Sequence, residues 1–123
     1  MHVFVPSGPL AEDWRLPGFD DSAWTAGLGG MGYEGSGAST FVPFFGIDLR
    51  TAMHNVKGSA YMCILFQVDD PGMIDSLNLH LRYDDGFVAY INGVEVARSN
   101  APAEPVWNSI ATMMYLDFNV VVF

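Results

Sequence analysis

The stretch from Phe87 to Ala97 constrains the fold of this chain more than any other, because it places Asn92-Gly93 between two short runs of strand-forming residues. Those runs are Phe87 to Ile91 and Val94 to Ala97. Asn-Gly is the dipeptide best suited to the positive φ angles of a two-residue type I′ turn, which joins antiparallel strands. The sequence therefore predicts a β-hairpin centred on these two residues.

Two further strands are predicted before the hairpin. Ser59 to Val68 is apolar on both faces, as in a strand buried between two layers, and Asp69-Asp70-Pro71-Gly72 ends it with turn-forming residues. The next segment alternates apolar and polar residues, the pattern of a strand with one face in the core and one in water. Its apolar members are Leu77, Leu79, Leu81 and Tyr83.

The remaining segments are assigned from turn residues and short apolar runs. Met1 to Val5 predicts one short strand, and Trp14 to Trp24 predicts turns, with Asp20-Asp21-Ser22 capping one of them. Gly27 to Gly46 predicts an ordered loop pinned by aromatic residues. Leu49 to Val56 fits either one helical turn or an irregular crossover, and Thr112 to Phe123 predicts a last strand or two.

The whole chain, residues 1–123, is predicted to form a single domain. Half of its residues are hydrophobic and only 15% are charged, while Gly and Pro together number 20. This balance favours short strands and many turns over long surface helices. With no internal repeat and no linker, the strands must pair among themselves, so we expect an all-β fold, an antiparallel β-sandwich.

The formal charge of −9 narrows the range of partners. An acidic surface repels the phosphates of nucleic acid and of anionic membranes, so we expect neither as a partner. Neutral sugars, cations and basic proteins stay open. Residues 1–10 lack the basic start and continuous apolar stretch of a signal peptide, and no apolar run approaches the length of a membrane span.

Residues suited to catalysis are scattered in this sequence. The three histidines have no ligand-type spacing, and neither Ser22 nor Ser109 lies in a nucleophile-elbow motif. The single cysteine, Cys63, lies in an apolar run that predicts a small buried thiol, and one cysteine cannot form an intramolecular disulfide. We therefore expect a protein that is not an enzyme.

Two acidic pairs raise the question of calcium, which binds several carboxylate and carbonyl oxygens. They are Asp20-Asp21 and Asp84-Asp85, and the second pair is the candidate calcium site. Asp beside Gly or Ser is first of all a turn former, because its side chain accepts hydrogen bonds from nearby backbone N–H groups. The structural turn is the favoured interpretation and calcium is the alternative.

Three segments together resemble one family: Pro17 to Trp24, Tyr61 to Phe66, and Tyr83 to Arg98. They look like the galactose-binding-like jelly-roll modules of large bacterial surface proteins, found beside lamin-tail and spore-coat-kinase-like domains. More distantly they are similar to the sugar-binding domain of bacterial β-galactosidases. The resemblance implies a jelly-roll topology, an extracellular or cell-surface location, and non-catalytic carbohydrate binding or adhesion.

The resemblance also bears on assembly. Such modules continue into further strands, whereas this sequence stops at Phe123, so we expect a domain truncated at its C-terminus. A missing strand would expose a sheet edge that a second copy can cover. We therefore expect a homodimer or higher oligomer.

Candidate ligand-binding residues lie in the two longest loops. Trp107, in a proline-bounded loop, is suited to stacking on a sugar face, with Asn108 beside it to bond hydroxyl groups. Tyr33 and Glu34, in the Gly-rich loop, could line the same end of the molecule. The alternatives are a structural spacer or oligomerisation domain without a small ligand, and an accessory domain of a glycoside-active enzyme.

Overall fold

Short strands dominate the computed structural model, which describes residues 1–35 and 41–115 and the backbone of residues 121–122. One four-residue helix, α1, lies among them in these ranges, together with three single 3-10 turns. In chain order the elements are β1 His2–Phe4, β2 Thr25–Ala26, β3 Gly30–Gly32, β4 Phe45–Asp48, α1 Arg50–Met53, β5 Tyr61–Cys63, β6 His80–Leu81, β7 Phe87–Ile91, β8 Val94–Ser99 and β9 Val121–Val122. The 3-10 turns are Glu12–Arg15, Val42–Phe44 and Pro71–Met73. The expectation of a strand-rich chain with almost no helix is confirmed.

The strands form small sheets. A three-stranded antiparallel sheet has the order β2-β1-β5, with His2 opposite Ala26 on one side and opposite Cys63 on the other. The remaining strands form pairs: β3 with β4, β6 with β9, and β7 with β8. The predicted strand at Met1 to Val5 is therefore the central strand of the largest sheet.

The expectation that all strands pair antiparallel is wrong for one pair. Strands β3 and β4 run parallel, with Gly32 opposite Asp48 and a register shift between Gly30 and Met31. The two backbones approach closely just before β3, because an added Cβ on Gly46 would lie 1.4 Å from the carbonyl oxygen of Leu28. The segment predicted as a loop from Gly27 to Gly46 thus contains a strand, and residues 36–40 of it lie outside the described residues.

The predicted hairpin is confirmed. Strands β7 and β8 pair antiparallel around Asn92 and Gly93, whose φ angles are +50° and +86°. Both residues have the positive φ that a type I′ turn requires. The second strand continues to Ser99, two residues past its predicted end, because Phe87 pairs with Ser99 at the open end of the hairpin.

The strand predicted over Ser59 to Val68 is shorter and far more exposed than expected. Only Tyr61–Cys63 pairs, with β1, and the side chains that follow face water: Ile64, Leu65 and Phe66 are all exposed. The prediction of a strand buried between two layers is therefore wrong. An apolar run shows which side chains would be stabilised by burial. In this structure no described element covers the second half of the run.

The alternating segment before the hairpin is only partly strand. His80–Leu81 pairs with Val121–Val122, and the alternation holds from residue 79, with Tyr83 buried and Arg82 exposed. Leu77 is exposed, contrary to its expected place in the core. The last predicted strand, Thr112 to Phe123, is represented by Val121–Val122, and residues 116–120 and 123 lie outside the described residues.

The hydrophobic core is small. Val3 of β1, Ile47 of β4 and Leu49 form its buried centre, with a ring of half-buried neighbours that includes Met31 and Tyr33. Val3 links the three-stranded sheet to the parallel pair, because its side chain packs with Ile47 of β4 and with Leu49, which directly follows β4. This contact positions β4 and α1 relative to the rest of the molecule.

An aromatic cluster supplies the second packing centre. The Trp14 ring lies 4.7 Å from Tyr61 and 5.9 Å from Tyr90, and Trp24 stacks on Phe4 at 5.3 Å. Trp14 and Trp24 are both half-buried in this cluster. Trp14 thereby ties the first 3-10 turn to β5 and to the hairpin.

Candidate functional site

The parallel pair creates a recess at one edge of the fold. Parallel strands end at the same edge, so the residues after β3 and those at the end of β4 come together there. The recess has a volume of about 200 Å³ and combines two carboxylates, a guanidinium, two aromatic rings and a valine. We call it the β3–β4 recess; its lining residues are Tyr33, Glu34, Val42, Phe45, Asp48 and Arg50.

Arg50 holds the recess together. Its guanidinium donates hydrogen bonds to the backbone carbonyl oxygens of Glu34 and Gly35, the second at 3.3 Å. Its backbone N–H donates to Oδ1 of Asp48 at 2.7 Å, which fixes the start of α1 against the end of β4. The loop after β3 and the end of β4 are therefore joined through one side chain, as a preformed site requires.

Tyr33 forms the wall between the recess and the turn after α1. Its ring centre lies 5.7 Å from that of His54, and the residue packs against the buried core. The Leu49 to Val56 segment, for which one helical turn or a crossover was predicted, is the single helical turn of α1. That turn carries both Arg50 and His54 to the same side of the molecule.

The structure separates the four predicted ligand-binding residues into two pairs. Tyr33 and Glu34 line the β3–β4 recess. The Trp107 ring lies 5.2 Å from Nζ of Lys57, its carbonyl oxygen accepts a 2.6 Å hydrogen bond from the hydroxyl of Ser59, and Asn108 beside it is exposed. Both pairs adjoin the chain that follows α1, and among the described residues Trp107 does not line the recess.

Asp84 and Asp85 form a turn with a defined structural role. Asp85 has a φ of +61°, its carboxylate accepts the backbone N–H of Tyr115 at 2.8 Å, and its carbonyl oxygen accepts the Asn100 side chain at 2.8 Å. Two of the oxygens that calcium could use, both of Asp85, thus accept hydrogen bonds from N–H donors. Over the ranges 1–35 and 41–115, no group of three or more His, Cys, Asp or Glu side chains is arranged to hold a metal ion.

The other acidic pair also acts locally. The side chain of Ser22 and its backbone N–H, the latter at 3.0 Å, donate hydrogen bonds to Asp20 and lower the pKa of that carboxyl. Asp21 contacts Nδ1 of His2 at 2.7 Å. The predicted turn at Asp20-Asp21-Ser22 is confirmed, and it fastens the N-terminal strand to the aromatic cluster.

Cys63 is partly buried rather than fully buried as predicted. Its Sγ lies 3.7 Å from the carbonyl oxygen of Trp14. Burial raises the pKa of the thiol, and the charge of Asp21 raises it further. A raised pKa leaves little thiolate at neutral pH, which is the opposite of what a nucleophilic cysteine needs.

We expect iodoacetamide to modify Cys63 several-fold more slowly at pH 7.4 in the folded chain than in urea. The pH profile of the folded-state rate should have its midpoint above about 8.5, the value for an ordinary cysteine. Mass spectrometry of timed samples measures both quantities. Rapid modification with a midpoint below pH 8 would show that the thiol is activated.

No protein-family model, curated protein or solved structure matches this chain. In the described part of the chain, no helix is long and apolar enough to cross a membrane.

Sequence reasoning missed four of the recess residues: Val42, Phe45, Asp48 and Arg50. Asp48 and Arg50 lie more than a dozen positions from Tyr33, and only the parallel pairing brings them to it. The one available signal was the glycine at position 46, which permits two backbones to approach closely.

Proposed function

We propose that this chain is a non-catalytic carbohydrate-binding or adhesion module, and that the β3–β4 recess is its ligand site. The observation that carries the proposal is the grouping of Tyr33, Glu34, Asp48 and Arg50 around one opening of about 200 Å³. This is below the range of about 300–1,000 Å³ typical of pockets for drug-sized ligands. The opening suits a single sugar ring rather than a buried cofactor.

The chemistry of the lining matches that of a sugar. Aromatic rings such as Tyr33 and Phe45 offer apolar faces to the C–H side of a pyranose. Carboxylates accept hydrogen bonds from hydroxyl groups, and hydrogen bonds to charged groups are about twice as strong as neutral ones. Two carboxylates and one guanidinium leave the recess acidic, so a neutral or cationic sugar is preferred over a phosphorylated or sulfated one.

The fold we propose for this function is the galactose-binding-like jelly roll, a β-sandwich, with the parallel β3–β4 pair as a departure from its antiparallel pairing. Two features support it: the Asn92-Gly93 hairpin, and the half-buried Trp14 and Trp24 that pack at the junction between sheets. The sugar-binding role follows from resemblance to those modules, so it is an analogy between folds.

We expect Glu34→Gln to weaken carbohydrate binding about 10-fold, because it replaces a charged hydrogen-bond acceptor by a neutral amide of the same shape. A glycan array identifies the sugar for the wild-type chain, and calorimetric titration then measures the dissociation constant of each variant. Glu104→Gln is the matched control, since Glu104 is exposed in a different loop.

Trp107→Ala shows which pair of predicted residues forms the ligand site, Tyr33 with Glu34 or Trp107 with Asn108. Loss of binding in this variant, with Glu34→Gln unaffected, would move the site to the Trp107 loop. Silence of the wild-type chain across a broad panel of neutral and amino sugars, with and without calcium, would overturn the carbohydrate proposal altogether.

A second candidate function is a structural assembly domain, and a separate observation favours it. Many large apolar side chains of the described residues are exposed, among them Leu28, Leu65, Met73 and Met114. Large contiguous apolar surfaces mark sites of protein association, so exposed side chains of this kind favour an assembly role where they lie together.

A further inference from the structure

Strand β5 continues into a run of exposed apolar side chains. Strand β5 lies at the end of the order β2-β1-β5, so one of its sides has no neighbour in that sheet among the residues that the structure describes. The chain that continues from it exposes Ile64 by 62%, Leu65 by 95% and Phe66 by 56%. We call residues 61–68 the β5 edge. An exposed apolar edge of this kind is a template for pairing with another strand.

The total surface of the chain indicates how much is left to cover. The accessible area is 8693 Å². A compact monomer of 13.5 kDa exposes about 6,500 Å². The excess is roughly 2,000 Å² per chain, distributed over all of its exposed side chains, and each partner of an obligate homodimer buries about 1,000–2,500 Å².

Charge selects the surface through which two copies can meet. The chain carries a formal charge of −9, so two copies repel one another over most of their surfaces. Residues 61–68 contain no Asp, Glu, Lys or Arg. The β5 edge is therefore a place where like-charged chains can approach without setting charge against charge.

We propose that a second copy of this chain pairs antiparallel with the β5 edge, about a two-fold axis at Phe66. In that register Ile64 lies opposite Val68 and Phe66 lies opposite its own counterpart, so aromatic and β-branched residues form the cross-strand pairs that stabilise sheets. Asp69 lies opposite Cys63, which keeps the carboxylates of the two copies apart. Residues 64–68 of the two copies then form an antiparallel ladder that begins where β5 ends, at Cys63. The proposal rests on the assembly function and specifies its surface and register.

Phe66→Lys tests the surface. Two lysines would face each other across the axis, and we expect the dissociation constant of the dimer to rise about 100-fold, as for loss of a central interface residue. Analytical ultracentrifugation over a concentration series measures it, and circular dichroism verifies that the variant keeps its strands. Leu28→Lys is the control, because Leu28 is equally apolar, 86% exposed, and lies outside the β5 edge.

Phe66→Cys in a Cys63→Ser background tests the register. Directly opposed residues of an antiparallel pair have Cα atoms about 4.5–5.5 Å apart, within the range a disulfide spans. We expect mild oxidation to yield a covalent dimer, and Leu28→Cys in the same background to yield none.

The outcomes separate the surface from the assembly function. If the wild-type chain is a dimer and Phe66→Lys leaves that dimer intact, the β5 edge is not the interface, and the assembly function still stands. A wild-type chain that stays monomeric at tens of micromolar would overturn both. Carbohydrate binding is measured independently, and its result tests neither the β5-edge interface nor the assembly function.

Discussion

Gly46→Ala is expected to cost about 3 kcal/mol or more of unfolding free energy, the upper range for overpacking a close contact. The added Cβ would lie 1.4 Å from the carbonyl oxygen of Leu28 and 2.6 Å from its carbon, and a backbone carbonyl cannot rotate away as a side chain can. The parallel pair would have to separate. Because small domains have only about 5–15 kcal/mol of stability, the urea midpoint should fall steeply.

The same substitution also reports on the recess. Since the pairing of β3 with β4 brings Tyr33 and Asp48 together, any Gly46→Ala protein that still folds should lose carbohydrate binding. Gly8→Ala is the control, because nothing lies within 4 Å of its Cβ position and its stability should stay within about 0.5 kcal/mol of wild type. Equal urea midpoints for the two variants would contradict the parallel pairing.

Trp14→Ala should destabilise the chain by about 3 kcal/mol, the lower end of the range for deleting a large aromatic side chain from a core. Its ring contacts Trp24, Tyr61 and Tyr90, so the deletion would loosen the first 3-10 turn, β5 and the hairpin at once. Aromatic pairs contribute about 0.5–1.5 kcal/mol beyond the area they bury, which adds to the loss. Urea unfolding followed by circular dichroism measures it.

Trp107→Ala provides the matched comparison, because it deletes the same side chain from a position where the half-buried ring lies over Nζ of Lys57. We expect a loss of about 1 kcal/mol there, the size of a cation–π contact. Equal losses for the two tryptophan variants would show that the aromatic cluster is not a packing centre.

Local features of this fold could be predicted, and each depends on residues close together in sequence. The hairpin at Asn92-Gly93 follows from the backbone freedom of two adjacent residues, whose φ angles are both positive. The turn at Asp20 follows from a carboxylate two positions from the N–H that it accepts. The inward position of Tyr83 follows from the alternation of side chains along residues 79–83.

The incorrect predictions concern apolar segments whose burial depends on a second element of the fold. Residues 64–68 have the composition of a buried strand, yet burial requires a second layer, and none of the described elements supplies one. Cys63 was assigned to the interior for the same reason and is only partly buried. Hydrophobicity identifies the side chains that are stabilised by burial. It does not show whether another element of the fold lies close enough to cover them.

What this sequence determined by itself is a strand-rich chain with its turns in place, because turn conformation and side-chain alternation are set by neighbouring residues. Only the tertiary structure decided that β3 runs parallel to β4, that Tyr33 and Glu34 meet Asp48 and Arg50, and that Trp107 lies elsewhere. These outcomes depend on contacts between residues distant in sequence, whose energies no local pattern contains. The candidate site is therefore a product of strand pairing, and Tyr33 and Glu34 are the two predicted residues that line it.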